Sequence, residues 1–157
     1  MEKFLITNQG YQKLKNEIAQ LKNIERPASI KAIATARELG DISENADYHA
    51  AREKQGMIEA RIAYLEDKFA RAQVIDIDDM KGDAVRFGAV VELKDSDRNK
   101  LVSYQIVSEY EADIDSGLIS YNSPVAKALM GRETGDEVEI RAPGGVINYE
   151  IMKVSFS

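Results

Sequence analysis

Gly40-Asp41-Ile42-Ser43-Glu44-Asn45 stands between two long runs of helical periodicity, and its reading decides the fold. A short polar bend between two helices makes an antiparallel hairpin. Asp41 and Glu44 then sit at its far tip, where side chains are least needed for packing.

Upstream, Thr7 or Asn8 can cap the first helix, because a short side-chain oxygen satisfies an orphan N–H of the opening turn. Apolar or small residues then recur at Leu14, Ile18, Leu21, Ala28, Ala32 and Leu39, with Glu25 and Thr35 interrupting the seam. Pro27 removes a backbone donor and predicts a kink. Beyond it a second seam through Ile30 and Ile33 competes, so the register is open there. Downstream, Ala51, Gln55, Ile58, Ile62, Leu65, Phe69 and Ala72 alternate four and three residues apart, the seam of a coiled coil. Gly56 weakens it by about 1 kcal/mol relative to Ala. Helices of roughly 30 residues at ~1.5 Å rise give a rod of about 45 Å.

From Val74 the texture changes. The polar run Asp76-Ile77-Asp78-Asp79-Met80-Lys81-Gly82-Asp83 marks a boundary, giving domains over 1–77 and 78–157. Strands are expected over Phe87–Leu93, Leu101–Val107, Glu137–Ile140 and Ile147–Val154. Asp95 to Asn99 reads as a hairpin loop, and Pro143-Gly144-Gly145 as the turn of the last hairpin. Ser123-Pro124 opens a short helix over Val125–Met130, ended by Gly131. The fold class is therefore α+β: a helical coiled-coil hairpin, then a curved antiparallel sheet holding one helix.

Composition narrows the function classes. Zero Cys excludes disulfides and thiolate metal sites, and no apolar run approaches a membrane span. Met1-Glu2-Lys3-Phe4 lacks the start of a signal peptide, so a cytoplasmic protein is expected. Residues 1–75 carry 12 Lys+Arg against 11 Asp+Glu, whereas residues 76–157 carry 9 against 16. Any contact with nucleic acid is expected from the first half, since the acidic half repels phosphate.

The tip residues admit two readings. Asp41-Ile42-Ser43-Glu44 has capping-box spacing, with Asp41 as N-cap, Glu44 reaching back and Gly40 closing the preceding helix. If Ser43 caps instead, both carboxylates are free to hold a hard cation such as Mg²⁺, which takes oxygen ligands. Two carboxylates alone make a weak site and need a partner's ligands to complete it. Arg37 and Arg52 flank the bend and suit phosphate, because a guanidinium donates bidentately; with Glu38 and Glu53 beside them, they also read as a solvated helix face. Tyr48 either stacks on a base or packs against the opposite helix. His49 is the sole histidine, which leaves no room for a histidine metal pair.

ARELGDISENADYHAAREKQG, Ala36 to Gly56, resembles the tip signature of the Gre transcript-cleavage factors of bacterial RNA polymerase, GreA type. A separate stretch, NSPVAKALMGRETGDEVEIRAPGG, Asn122 to Gly145, is similar to that family's C-terminal domain. Ile42 and Asp47 stand where the family usually has Leu and Glu. The resemblance implies a coiled coil that enters the polymerase secondary channel and an FKBP-like domain that docks at its rim. It implies that Asp41 and Glu44 help hold a Mg²⁺ shared with the polymerase and stimulate cleavage of the 3′ end of backtracked RNA. Arg37, Arg52 and Tyr48 would contact that RNA. The factor would be an accessory rather than an enzyme, and a monomer when active. A channel-binding regulator that promotes no cleavage is the alternative. Prolyl isomerase activity is not expected of the FKBP-like domain, because the chain has no Trp for such a pocket. Its docking surface is expected either in the apolar residues of Val125–Met130 or in the loops around them.

Overall fold

A computed structural model describes residues 2–40 and 45–156. The chain divides into two compact units, one spanning Gln12–Arg71 and the other combining Glu2–Tyr11 with Ala72–Ser157. The cut thus falls at Arg71/Ala72, a few residues before the expected boundary, and the N-terminal segment joins the second unit.

The first unit is the helical hairpin. Its first arm is α1 (Asn8–Gln20) from Gln12 onward, a π-helical segment over Leu21–Glu25, and α2 (Arg26–Arg37). Its second arm is the unbroken α3 (Ala46–Arg71). Thr7 caps α1: its Oγ1 accepts the Gly10 N–H at 3.0 Å.

The π-helical segment has an evident cause. Pro27 offers no N–H, and its ring crowds the carbonyl four residues back. The turn before it widens instead, and the Arg26 N–H reaches the Leu21 carbonyl five residues away. One extra residue per turn moves everything beyond it by one position on the seam. The inward residues are therefore Ser29, Ile33 and Ala36, with Ser29 and Ala36 each 4% exposed. The expected Ala28, Ala32 and Leu39 face outward, as does Ile30 of the competing seam. The shift turns Thr35 out to solvent and brings the small apolar Ala36 onto the seam in its place.

The α3 seam is as expected through Ala51, Gln55, Ile58, Ile62 and Leu65, the last fully buried. It extends outward by one step to Tyr48. At the other end Phe69 is 37% exposed, and Ala72 already belongs to a strand. Ion pairs tie the arms together: Glu17–Arg61 at 2.8 Å, Lys22–Glu66 at 2.7 Å, and a two-pronged Arg26–Glu59 pair at 2.7 and 2.8 Å. The Arg26 hydrogen bond holds the Glu59 carboxyl below the usual glutamate range.

The second unit contains two sheets. Strands β1 (Phe4–Thr7) and β2 (Ala72–Ile75) pair in parallel. The other sheet has five strands: β3 (Val90–Asp95), β4 (Lys100–Val107), β5 (Leu118–Ser120), β6 (Glu137–Ala142) and β7 (Gly145–Ser155). Their order is β5-β4-β3-β7-β6. The β3–β4, β3–β7 and β6–β7 pairs are antiparallel as expected, whereas β4–β5 is parallel, so the sheet is mixed. A register shift in the β3–β7 pairing leaves Met152 bulged between Ile151 and Lys153. The expected strand start at Phe87 is instead a turn. Gly88 there has φ +89°, and a Cβ on it would meet Ile77 at 2.9 Å.

One face of the five-stranded sheet and helix α4 (Pro124–Leu129) enclose the core, including Val91, Leu93, Ile106, Leu129 and Ile151. Ser123 caps α4 by accepting the Ala126 N–H at 3.2 Å, with Pro124 at the first helical position. Ala126 and Leu129 are fully buried against the sheet, whereas Met130 is 38% exposed.

A half-buried carboxylate knits this unit together. Glu111 accepts from Ser108 Oγ at 2.7 Å, the Ser108 N–H at 3.2 Å, the Thr7 N–H at 3.3 Å and the Thr7 hydroxyl. It occupies the space of an absent side chain: a Cβ on Gly10 would lie 2.2 Å from Glu111 Cδ. The carboxylate also faces the positive end of α1, which favours it.

Candidate functional site

The last turn of α2 and the first turn of α3 face the bend from its two sides. Arg37 closes α2, and the Glu38 and Leu39 amides turn back onto the Thr35 and Ala36 carbonyls at 3.2 and 3.1 Å. Gly40 follows with a φ of +147°, a backbone state open to glycine.

Asn45 caps α3. Its Oδ1 accepts the Tyr48 N–H at 3.1 Å, and its Nδ2 donates to the Ala36 carbonyl of α2. One amide thus satisfies an orphan donor of the opening helix and an acceptor of the closing one. The calls on Asp41 and Glu44, and on Ser43 as a cap, lie outside the described residues. Among the described residues, the capping hydrogen bond at the start of α3 is that of Asn45.

Tyr48 is the outermost residue of the α3 seam and only 4% exposed. The Arg37 guanidinium carbon lies 5.6 Å from its ring centroid and that of Arg52, one helical turn further, lies 5.8 Å away. The His49 ring meets it edge-on at 5.6 Å. A hydrogen bond from Arg37, with the charge of Arg52, holds the Tyr48 phenol below the usual tyrosine range. Arg37 and Arg52 are themselves exposed, and among the described residues neither is in an ion pair with Glu38 or Glu53. Of the two readings of Tyr48, the structure shows packing: the ring is covered, and its partners are two cations.

Arg37, Tyr48 and Arg52 are therefore brought together, and they border residues 41–44 on both sides. Sequence reasoning missed Asn45, although an Asn three residues before a seam aromatic is a cap signal. Among the described residues no cluster of three His, Cys, Asp or Glu side chains is able to hold a metal. The Asn45 amide is already committed at both ends. Asp41 and Glu44 are hard oxygen donors of the kind Mg²⁺ takes, but two of the six ligands it requires.

Two family models cover the chain. "Transcription elongation factor, N-terminal" matches residues 4–74, and "Transcription elongation factor, GreA/GreB, C-term" matches residues 80–156. The chain belongs to the GreA/GreB family. Its relatives are similar from end to end: transcription elongation factor GreA of Phenylobacterium zucineum is 55% identical over 99% of both chains. The same factor of Rhodospirillum rubrum is 51% identical over the same shares. Among solved structures, GreA factor homolog 1 (Gfh1) of Thermus thermophilus is 29% identical, covering 98% of this chain and 99% of that one, with a TM-score of 0.46. The family assignment makes the chain a transcription elongation factor of GreA type. No helix among the described residues is long and apolar enough to cross a membrane.

Proposed function

We propose that the protein binds bacterial RNA polymerase and stimulates cleavage of the 3′ end of backtracked RNA, restarting arrested complexes. The hairpin enters the secondary channel, and the C-terminal unit docks at the channel rim. The observation that carries this reading is the tip cluster: Asn45 joins the two arms, and Arg37 and Arg52 are held against one buried ring in the helices that flank Asp41 and Glu44 in the sequence.

Each group has a role its chemistry suits. Asp41 and Glu44 supply oxygen ligands to a Mg²⁺ whose remaining ligands come from the polymerase. When bound, the ion acidifies a water and offsets charge on the phosphoryl oxygens. Arg37 and Arg52 hold the phosphates of the extruded RNA, each able to donate two parallel hydrogen bonds. Asn45 ties the start of one arm to the end of the other, which fixes the spacing of the two helices that carry Arg37 and Arg52. The protein acts as an accessory in the cytoplasm, as a monomer when engaged, and meets nucleic acid only within the transcription complex.

The test is a stalled, backtracked complex given Mg²⁺ and the factor, with release of short RNA as the readout. Asp41→Asn and Glu44→Gln are expected to keep polymerase binding and to lose cleavage by about 100-fold or more, in line with loss of one transition-state contact. Unmodified protein that binds without releasing RNA would instead establish a channel-binding regulator.

A further inference from the structure

Tyr48 is only 4% exposed, yet it is the residue on which both tip arginines converge. We propose that Tyr48 is a positioning residue, whose buried ring holds Arg37 and Arg52 as one preorganised, doubly cationic cradle for the phosphates of a single RNA segment. The inference deepens the function proposed above and rests on it for the identity of the anion.

Two guanidinium groups brought near each other repel, and each arginine side chain carries about 2 kcal/mol of rotamer entropy. Left alone on exposed helix faces, Arg37 and Arg52 would spread apart. The electron-rich face of an aromatic ring offsets both costs, more so where the ring is shielded from water. Tyr48 is so shielded. Its backbone is fixed by the Asn45 cap at 3.1 Å and its ring is the terminal residue of the α3 seam, so it cannot follow the arginines. The two cations reach it from different elements, Arg37 from the end of α2 and Arg52 from the second turn of α3. The ring therefore also fixes one arm's cation relative to the other's. The other ion pairs of the hairpin join arginine or lysine to carboxylates, which neutralises them. Pairing with a ring leaves the full positive charge available to a ligand. Preorganisation of this kind lowers the barrier to reaction without requiring a contact from Tyr48 itself.

The experiment compares Tyr48→Phe, Tyr48→Leu and Arg37→Ala in the full chain, with two readouts. In the free protein, the Nε–Hε signals of Arg37 and Arg52 are followed by NMR. They are expected to be ring-current-shifted in wild type and in Tyr48→Phe, and to move to the position of solvated arginines in Tyr48→Leu. On the stalled complex, Tyr48→Leu is expected to lower the cleavage rate at saturating factor by about 10-fold with half-saturation within twofold of wild type, and Tyr48→Phe to restore most of it. The Arg37→Ala/Tyr48→Leu pair is expected to be no more than twofold worse than Arg37→Ala alone. A purely structural Tyr48 would tolerate the apolar Leu or lose thermal stability. Unchanged arginine signals in Tyr48→Leu, or shifted signals with full cleavage, would overturn the proposal. If wild type itself releases no RNA, the function proposed above fails, and the NMR arm still decides whether Tyr48 holds the arginines.

Discussion

The hairpin and the sheet unit solve the problem of staying folded in opposite ways. The hairpin buries a line of side chains one residue wide, Leu14, Ser29, Ala36, Tyr48, Ile58, Ile62 and Leu65, and braces it with ion pairs between the arms. The sheet unit has a three-dimensional core, in which strands β3, β4, β6 and β7 and helix α4 each contribute buried side chains. A line has no second layer to absorb a defect. Each unit accordingly tolerates polar chemistry in a different place. The hairpin places it at the end of the line, around Tyr48, and the sheet unit places it at the half-buried Glu111.

The contrast is broken most severely by Leu65→Asp. An unpaired charge at a fully buried seam position costs more than about 4 kcal/mol. The expected outcome is loss of the hairpin's helical circular dichroism while the core methyl signals of the sheet unit persist. Simultaneous loss of both would show that the units do not fold separately.

The sheet unit is probed by Gly10→Ala, which drives a methyl into the Glu111 carboxylate and strips it of its partners. A loss of about 1–3 kcal/mol is expected by chemical denaturation. Because Glu111→Ala removes the same contacts, the double variant should be little worse than the worse single one.

Ser29→Ala sharpens the picture of the seam in the other direction. The Ser29 hydroxyl is buried without a hydrogen-bond partner, so its removal is expected to stabilise the hairpin by about 1 kcal/mol. In an uninterrupted α-helical register Ser29 would face solvent and the change would be neutral. A melting temperature no higher than wild type would therefore contradict the one-residue shift at Leu21–Glu25.

The smallest effect belongs to Glu59→Gln. The folded carboxyl is held below its ordinary value of about 4.3, so the Arg26 bond contributes above that pH and is lost as pH falls through the folded value. The variant should melt slightly below wild type at neutral pH, and the two curves should converge in acid. A gap that persists in acid would assign the effect to packing.

Much of this was legible in the amino acids because it depended on local chemistry. The α3 seam, the Ser123-Pro124 helix start and the Asp95–Asn99 loop each follow from spacing or from one residue's backbone preference. In that loop Asp95 accepts the Asp97 and Arg98 amides and Asn99 takes a positive φ. The misses involve partners distant in sequence or cumulative geometry. Strands β1 and β2 are four residues each, too short for periodicity, and exist because they find one another across more than 60 residues. Pro27 was visible as a disturbance, but its result, a widened turn that rotates all of α2 by one position on the seam, is cumulative geometry that a kink does not specify. Glu111 reads as one more acid in an acidic half until Gly10 and Thr7 are placed beside it. At the tip, Asp and Ser cap candidates outnumbered Asn45, and only the reach of its amide to Ala36 distinguishes it.

The claim that the tip lends oxygen ligands to another enzyme's metal site is tested most directly by Mg²⁺ titration of RNA release from a backtracked complex. Asp41→Asn/Glu44→Gln is compared with wild type at equal polymerase occupancy. The expected result is that the variant binds normally, yet needs far more Mg²⁺ and does not reach the wild-type rate at any concentration. Cleavage by the variant at the wild-type rate and Mg²⁺ dependence would contradict it.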